Sequence, residues 1–432
     1  MAVAAQARRR PGNPFSVFRH YNYRLYWWGQ LVSQVGTWMQ SAGQAWLVLQ
    51  ITNSAFLLGV VTACQTLPML FFSLVAGAVA DRTAKRPLLL ATQTTMMLQA
   101  FILAWLVWSG RVAYWHIAVL ATVLGIARAF DIPTRQAFVI EMVGREDLMA
   151  AIALNSSIVN GARIFGPALA GLVMAVYGAG WAFFLNGVSF LAIIYGLMRM
   201  RLSRGRPEVG VRRSIWHDAA EGLTYVGREV KVFLVLLLLG LIGTFVQNYN
   251  LVVPVLAKQA LGQSAAGYGF MMSAMGVGAV AASLGLASIG GREPDLRWLY
   301  ATAALLSGLT MVMAAVFDYG LAVVLMVFIG ALNMVYMASS NTAVQITVPD
   351  NLRGRVMSIY NLVHNGVVPL GSIFLGAMMS RFGPRAGWVS AGGVGLVSVA
   401  LVMGLAAALV GRRGAGRGPG PAEPKPDTEA RS

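Results

Sequence analysis

The sequence predicts an all-α membrane protein with twelve transmembrane helices in two pseudo-symmetric six-helix bundles. Three observations lead to this fold class. The chain is 57% hydrophobic and only 11% charged, whereas soluble domains are about 25% charged. Long apolar runs such as 88–108 do not alternate polar and apolar residues, so in lipid they are helices rather than barrel strands. Finally, the second half of the chain repeats the first.

The repeat is visible when the sequence is shifted along itself. A shift of 205 residues aligns Asn160 with Asn365, and a weaker match at 210 aligns Gly59 with Gly269. A duplicated apolar unit indicates two half-domains around a shared cavity, an arrangement typical of transporters, although chance alignment of glycines is the alternative. The other aligned pairs are Gly125–Gly330, Gly161–Gly366, Gly166–Gly371, Gly171–Gly376, Met174–Met379, Gly178–Gly383, Ser54–Ser264, Ala55–Ala265 and Arg82–Arg292.

Twelve segments have about the 20-residue length that a bilayer requires. The fifth and eleventh are rich in Gly, Asn and Pro, and the repeat supports both. We therefore expect a segment 1–24, a bundle 25–199, a linker 200–230, a second bundle 231–410 and a disordered tail 411–432. The predicted spans are 25–50, 56–80, 87–108, 113–135, 149–177, 181–199, 231–257, 265–289, 297–316, 320–345, 355–380 and 385–410.

The basic residues predict the orientation. If both termini are cytoplasmic, the cytoplasmic segments hold 27 of the 33 Lys and Arg residues, as the positive-inside rule requires. The net charge of +17 then reflects topology and contact with anionic lipids. It does not predict nucleic-acid binding, because no basic patch lies on a soluble domain.

Several classes of function are excluded by absent motifs. The sequence has no phosphate-binding GxxxxGK[ST] loop, no His/Glu metal spacing and no nucleophile elbow, so we expect neither an enzyme nor an ATP-driven pump, and no cofactor. The only cysteine, Cys64, lies within the second span, which excludes disulfides and cysteine metal sites. The segment before Leu25 lacks the apolar core of a signal peptide. In the linker, 214–231 is predicted to form a surface helix with Ile215, Leu223 and Val226 on one side.

A charged loop follows the second span, with Gly77, Asp81, Arg82, Lys85 and Arg86 in the pattern GAVADRTAKR. The Asp81 carboxylate can meet the positive start of a neighbouring helix. The pattern resembles the signature loop of the major facilitator superfamily. That resemblance implies the major facilitator fold and a latch that joins the two halves when the inner gate is shut. Simple positive-inside anchoring is the alternative.

The fifth span carries Gly161, Gly166, Pro167 and Gly171. Small residues allow close helix approach, and a proline removes a backbone hydrogen bond and kinks the helix. The pattern is similar to the Gly-Pro motif of the superfamily's antiporters, which are mainly exporters, and the stretch 131–171 resembles the subgroup of the enterobactin exporter and macrolide efflux proteins. A flexible gate helix is therefore expected, with ordinary tight packing as the alternative.

Charges within the spans are the candidates for proton coupling. Arg128, Asp131 and Arg135 share one face of the fourth span, and Arg163 is predicted near the middle of the membrane. Charges at that depth face an aqueous cavity or a partner. Asp131 is either a proton carrier that responds to Arg128 or half of a static ion pair. His364 is a further candidate because histidine titrates near neutral pH, although structural hydrogen bonding is the commoner role.

Polar and aromatic residues in mid-span are the candidates for a substrate cavity, with cross-helix hydrogen bonding as their alternative role. Amides and aromatics outnumber charges, which favours an amphipathic molecule. Together with the family resemblance, this predicts a proton-coupled exporter of a siderophore or drug-like molecule, a monomer in the bacterial inner membrane. An importer, or a membrane sensor or scaffold, remains open. The candidates are Gln34, Trp38, Gln44, Asn155, Asn160, Gln247, Asn248, Asn250, Asn333, Asn361 and Asn365.

Overall fold

The computed structural model describes residues 14–144, 146–201, 215–289 and 295–415, and these are almost entirely helical. A 3-10 turn, Pro14–Arg19, leads into the first bundle. The helices of that bundle are α1 (Tyr21–Thr52), α2 (Ala55–Arg82), α3 (Lys85–Trp108), α4 (Tyr114–Val143), α5 (Leu148–Tyr177) and α6 (Ala179–Arg199).

The linker contributes one helix, and the second bundle follows it. The helices of these two segments are α7 (Ile215–Arg228), α8 (Val230–Phe245), α9 (Tyr249–Val255) with a π-helical turn (Leu256–Ala260), α10 (Ala265–Ile289), α11 (Leu296–Met313), α12 (Tyr319–Thr347), α13 (Asp350–Gly366), α14 (Val368–Phe382) and α15 (Ala386–Ala415).

The predicted membrane fold is confirmed. Eleven helical stretches in the described residues are long and apolar enough to cross a bilayer. The twelfth span is α1, whose 32 residues extend about 48 Å at 1.5 Å per residue and pack against α5 and α6. Helix α4 continues to Val143, beyond the predicted limit of 135. Arg135 therefore lies well within the helix, on the face that it shares with Arg128 and Asp131.

Two spans are interrupted. The seventh loses its helical conformation at Gln247 and Asn248, and the Asn248 side chain donates a 2.6 Å hydrogen bond to the carbonyl of Thr244. The eleventh breaks at Val367, between α13 and α14. Its repeat counterpart α5 contains Pro167 but remains one continuous helix.

The internal repeat is reproduced in the packing of the two halves. A Cβ atom added to Gly171 of α5 would lie 2.9 Å from the Cα atom of Ala266 in α10, and one added to Gly376 of α14 would lie 3.1 Å from the Cα atom of Phe56 in α2. The shift of 205 residues relates Gly171 to Gly376, and the shift of 210 relates Phe56 to Ala266, so the two contacts are equivalent. The two halves therefore meet through equivalent surfaces.

Helix ends follow the same repeat. Gly178 and Gly383 end α5 and α14 with φ angles of 85° and 92°, which favour glycine because a Cβ atom disfavours positive φ. At the start of the second repeat unit, a Cβ atom on Gly269 would lie 2.4 Å from the carbonyl oxygen of Pro167. The shift of 210 residues relates Gly59 to Gly269, and the shift of 205 relates Pro167 to Ser372. The contact of Gly59 with the carbonyl oxygen of Ser372 is therefore the equivalent contact in the other pair of helices. The aligned glycines thus mark equivalent turns and close approaches.

The halves are joined on the side of the molecule opposite the chain termini, which we call the closed side. There the Lys258 ammonium donates to the carbonyl of Leu49 at 2.5 Å, and the Gln259 amide donates to the carbonyl of Asn53 at 3.0 Å. Slightly deeper, the rings of Trp46 and Tyr268 stack with centroids 5.9 Å apart. We call the other side, where α1 begins and α15 ends, the terminus side.

Helix α7 lies on the terminus side and packs against α13. Glu221 forms a 2.7 Å ion pair with Arg355, and the Tyr225 hydroxyl donates a 3.3 Å hydrogen bond to the carbonyl of Thr347. The predicted linker helix is present, but its predicted apolar side is wrong in part: Val226 is buried, whereas Leu223 is 59% exposed. The Ile215 side chain and residues 202–214 lie outside the described residues.

The carboxyl end of the chain departs from the predicted limit. Helix α15 continues to Ala415, whereas the last span was expected to end at 410. The rest of the predicted tail, 416–432, lies outside the described residues. The division of the chain into segments at 24, 199, 230 and 410 remains a prediction.

Candidate functional site

A cavity of about 720 Å³ lies within the first bundle. Its lining begins at Tyr26 of α1 and Leu148 of α5, which belong to the terminus ends of those helices, so the cavity reaches the terminus side. Three of the predicted cavity residues line it: Gln34, Asn155 and Asn160. Asn155 also accepts a 3.2 Å hydrogen bond from the hydroxyl of Tyr23. The two halves are joined at the other end, so this cavity belongs to the open end of the molecule.

A polar stripe on α1 forms one wall of the cavity. Gln30, Ser33 and Thr37 line it beside Gln34. The spacing i, i+3, i+4 and i+7 places all four side chains on one helix face. Sequence reasoning selected only Gln34, yet this spacing was available to identify the other three.

Asp131 is fully buried beside this cavity. One of its carboxylate oxygens accepts hydrogen bonds from Thr92 at 3.0 Å and Gln93 at 2.7 Å, and the other pairs with the guanidinium of Arg135. The ion pair of Asp131 in the described residues is with its i, i+4 neighbour Arg135, while Thr92 and Gln93 of α3 occupy the other carboxylate oxygen. A response of Asp131 to Arg128 stays a prediction.

The cavity surface is basic. Arg128 and Arg135 both line it, and the buried Arg135 Nε atom has no hydrogen-bond partner among the described residues. Asp131 is the only acidic side chain among the buried residues that the structure describes. The guanidinium groups of Arg128 and Arg135 therefore line the cavity, and the carboxylate of Asp131 is buried next to it.

Two further candidates for proton coupling, Arg163 and His364, lie on helices of opposite halves, α5 and α13. The Arg163 guanidinium lies over the ring of Trp38, 5.2 Å from its centroid. Within the described residues, its buried Nε atom and the buried Nδ1 atom of His364 have no hydrogen-bond partner.

The other candidates from the second half do not line the cavity. Gln247 donates a 2.8 Å hydrogen bond to Asn333, which is the cross-helix role left open above. Asn250 and Asn361 are exposed, and the side chain of Asn365 lies outside the described residues. In the first half, Gln44 is buried, and its Oε1 atom has no partner among the described residues.

The predicted latch loop makes its described contacts within the first bundle. Lys85 pairs with Glu141 of α4 at 2.5 Å, and Arg86 donates to the carbonyl of Met198 in α6 at 2.6 Å. Arg82 is exposed. The side chain of Asp81, on which the latch depends, lies outside the described residues. A Cβ atom on Gly77 would meet nothing within 4 Å, so this glycine does not serve a close contact.

The glycines of α5 divide into two groups. A Cβ atom on Gly166 would lie 2.4 Å from the Cβ atom of Trp38, and Gly171 packs against the other half as described above. A Cβ atom on Gly161 would meet nothing within 4 Å. The expected close approach of a neighbouring helix is therefore absent at Gly161. Pro167 contributes through its carbonyl oxygen, which contacts Gly269.

A buried amide network escaped sequence reasoning. Gln40 donates to Gln99 at 2.8 Å and accepts from Asn186 at 2.6 Å, which links α1, α3 and α6. Three amides in mid-span were the available signal. The described residues contain no group of three or more His, Cys, Asp or Glu residues that could hold a metal ion.

Comparison with known proteins adds the family context. Residues 12–411 match the model of a major facilitator family described as transmembrane secretion effector. The Staphyloferrin A transporter of Staphylococcus aureus is 26% identical over 352 residues, which are 81% of this chain and 87% of the relative. The multidrug efflux pump Tap of Mycolicibacterium fortuitum is 26% identical over 351 residues, 79% of this chain and 85% of the relative.

Solved structures show the same architecture. The peptide transporter POT in complex with sulfate has a TM-score of 0.71 at 13% sequence identity, and the match covers 94% of this chain and 96% of that one. At that identity the likeness concerns the fold alone. It agrees with the two six-helix bundles described above.

Proposed function

Because the chain belongs to the transmembrane secretion effector family of the major facilitator superfamily, and is therefore a membrane transporter, we propose that it exports an amphipathic small molecule by alternating access in exchange for protons. In this proposal the structure is one of the two states of that cycle. The bundles separate and rejoin around a cavity that faces each side of the membrane in turn.

One observation carries this proposal: a cavity of about 720 Å³ reaches the terminus side, while the halves are packed together on the closed side. The distribution of Lys and Arg places the terminus side in the cytoplasm. The cavity is then open to the cytoplasm, and this is the state in which an exporter loads its substrate. The bacterial inner membrane is the proposed location, with the protein acting as a monomer among anionic lipids.

The direction of transport is supported by the contacts of α5. Gly171 and the carbonyl of Pro167 lie at the interface between the halves, so the Gly-Pro segment belongs to the surface that must open to release substrate. An efflux pump among the relatives also favours export. An importer on the same fold would use the same cavity, and only the direction of flux separates the two.

Asp131 is the proposed proton carrier. It is buried, it is paired with Arg135, and Arg135 also lines the cavity. Protonation from the outer side would abolish this ion pair and change the cavity wall that Arg135 forms, so that substrate would be released there. Loss of the proton to the cytoplasm would restore the pair, because a buried charge without its partner is strongly destabilised, and the cavity could then load substrate again. The proton and the substrate would thus occupy the protein in turn, as exchange requires.

Everted membrane vesicles test the proposal, with the cation ethidium and the anion 1-pyrenebutyrate as amphipathic probes. Respiration acidifies the vesicle lumen, so a proton-coupled exporter should accumulate at least one probe, and a protonophore should abolish the accumulation. Asp131→Asn should lose the dependence on the proton gradient, whereas Arg111→Gln, an exposed site outside the cavity, should behave as the wild type. Accumulation only in right-side-out vesicles would identify an importer instead.

A further inference from the structure

Gln93 of α3 connects the buried carboxylate of Asp131 to the cavity. Its amide nitrogen donates a 2.7 Å hydrogen bond to the Oδ1 atom of Asp131, and its side chain also belongs to the cavity lining. Thr92 donates to the same oxygen at 3.0 Å but does not line the cavity. Of these two donors, a molecule in the cavity can therefore touch only Gln93.

The other end of this amide is free. Gln93 is only 3% exposed, and its Oε1 atom is buried without a hydrogen-bond partner among the described residues. An ionised carboxylate only accepts hydrogen bonds, which orients the amide with its nitrogen towards Asp131 and its oxygen away from it. A buried acceptor without a partner costs free energy. A hydrogen-bond donor bound in the cavity would remove that cost.

The cavity favours a neutral donor over a cation. Arg128 and Arg135 both line it, and the Asp131 carboxylate beside it is already paired with Arg135. Tyr26 of α1 is the other titratable group in the described lining, and the lining residues from α3, α5 and α6 are uncharged. A cationic donor would therefore meet two guanidinium groups and no carboxylate in this lining. The donor that suits Gln93 is a neutral one.

Protonation of Asp131 would reverse the amide. Arg135 carries donors but no acceptor, so the new O–H bond forms on Oδ1, the oxygen that faces Thr92 and Gln93. This hydroxyl needs an acceptor. When the Gln93 amide turns over, Oε1 accepts from it and Nε2 takes the free end. An Oδ1–H···Oε1 bond then replaces the Nε2–H···Oδ1 bond, while Arg135 keeps its charge.

We propose that Gln93 binds a neutral N–H group of the transported molecule and releases it when Asp131 is protonated. With Asp131 ionised, the free end of the amide is an acceptor; with Asp131 protonated, it is a donor, which repels an N–H group. A hydroxyl group would bind in both cases because it donates and accepts. The exchange therefore selects an N–H group. This inference rests on the proposed proton-coupled export and assigns its substrate class.

Equilibrium binding to the purified full-length protein tests the site without requiring transport. The probes share one tricyclic body: carbazole has an N–H donor, N-methylcarbazole lacks it, and dibenzofuran has an oxygen acceptor in its place. At neutral pH the wild type should bind carbazole about fivefold more tightly than the other two, the effect of one hydrogen bond between neutral groups. Gln93→Met should lose this preference and bind N-methylcarbazole as the wild type does.

Asp131→Asn tests the reversal at the same pH. Its amide oxygen must face Arg135, which only donates, so its amide nitrogen takes the place of Oδ1 and needs an acceptor. Gln93 should then turn over, and carbazole should bind no more tightly than dibenzofuran. In the wild type, the carbazole preference should likewise fall as the pH is lowered and Asp131 takes up a proton, since the probes themselves do not titrate in this range. This second measurement does not depend on the folding of a variant.

Gln345→Met is the matched control, because this glutamine is exposed and lies outside the cavity lining. It should keep both the carbazole preference and its pH dependence. A wild type without the preference, or a Gln93→Met variant that retains it, would overturn the N–H site. A preference that persists in Asp131→Asn and at low pH would identify Thr92 as the acceptor of the proton's hydrogen bond and overturn the release step.

These results are distinguishable from failure of the export proposal, because export is measured separately in vesicles. Proton-dependent flux without a carbazole preference would leave export intact and contradict the N–H site. Conversely, a preference controlled by Asp131 without any flux would contradict export while supporting the site.

Discussion

Gly269 of α10 lies against the carbonyl oxygen of Pro167 in α5, so closely that a Cβ atom at this glycine would approach the oxygen to 2.4 Å. The two residues belong to different halves. Their repeat counterparts, Gly59 and Ser372, make the same contact on the other side of the pseudo-twofold axis, where an added Cβ atom would approach the Ser372 oxygen to 2.3 Å. The closed side thus depends on two glycine contacts that leave no space for a methyl group.

Gly269→Ala should therefore weaken the closed side. Overpacking of this kind typically destabilises a structure by about 1–3 kcal/mol. Here it would destabilise the state of the transport cycle in which the closed side is packed. Gln44, buried in α1 near the closed side, reports the change: in a Cys64→Ser, Gln44→Cys background, a membrane-impermeant thiol reagent added from the closed side should label the Gly269→Ala variant faster than its parent.

Gly161→Ala is the matched control, because a Cβ atom there meets nothing within 4 Å. It should leave the labelling rate unchanged. Equal labelling of the parent and the Gly269→Ala variant would show that this contact does not hold the closed side together.

The Asp131–Arg135 pair predicts an asymmetric mutational effect. Arg135→Gln leaves a fully buried carboxylate without its cation and should destabilise the protein by about 3 kcal/mol. Asp131→Asn should cost less, because the Arg135 side chain is 20% exposed and borders the cavity. Thermal unfolding in detergent should show the Asp131→Asn, Arg135→Gln double variant to be more stable than Arg135→Gln alone. A strictly additive double variant would mean that the pair is not coupled.

The terminus side contains a pH-dependent contact. Asp147, between α4 and α5, accepts hydrogen bonds from His20 and Arg19 at 2.7 Å each. The His20 hydrogen bond, followed by the contribution of Arg19, holds the pKa of Asp147 below its ordinary value. A lowered pKa means that the stabilisation is present above the ordinary value of about 3.9 and is lost as the pH falls through the lowered pKa.

Asp147→Asn should consequently loosen the start of α1 at neutral pH but have little effect once the pH is below the lowered pKa. Hydrogen exchange of residues 14–24, followed from pH 6 downward in steps, measures this directly. The effect should be small, because solvent screens exposed ion pairs. A difference between wild type and variant that stays constant over the whole acid range would exclude the carboxylate as its source.

The repeat made much of the fold predictable from sequence. The equivalence of Gly178 with Gly383 follows from local backbone geometry, which sequence reveals, and the break at Gln247 follows from polarity within an apolar span. Close packing at Gly161 was wrongly expected, because a glycine in a helix does not disclose which neighbour faces it. Which residue faces a glycine depends on how helices that are far apart in the sequence pack against each other.

The candidate site was less predictable for a related reason. Arg128 and Arg135 both share a face with Asp131, and spacing along α4 does not decide between them. The choice depends on Thr92 and Gln93, which approach from α3.

The most direct test of the account measures two distances by spin labelling in a Cys64→Ser background, each between two labelled cysteines of the same protein. One pair, Asn53→Cys with Gln259→Cys, spans the closed side; the other, Glu146→Cys with Asp295→Cys, spans the terminus side. Combining Gly59→Ala with Gly269→Ala should lengthen the first distance and shorten the second, because alternating access requires one side to close as the other opens. If the first distance lengthens while the second remains unchanged, the two sides are not coupled, and alternating access around this cavity is contradicted.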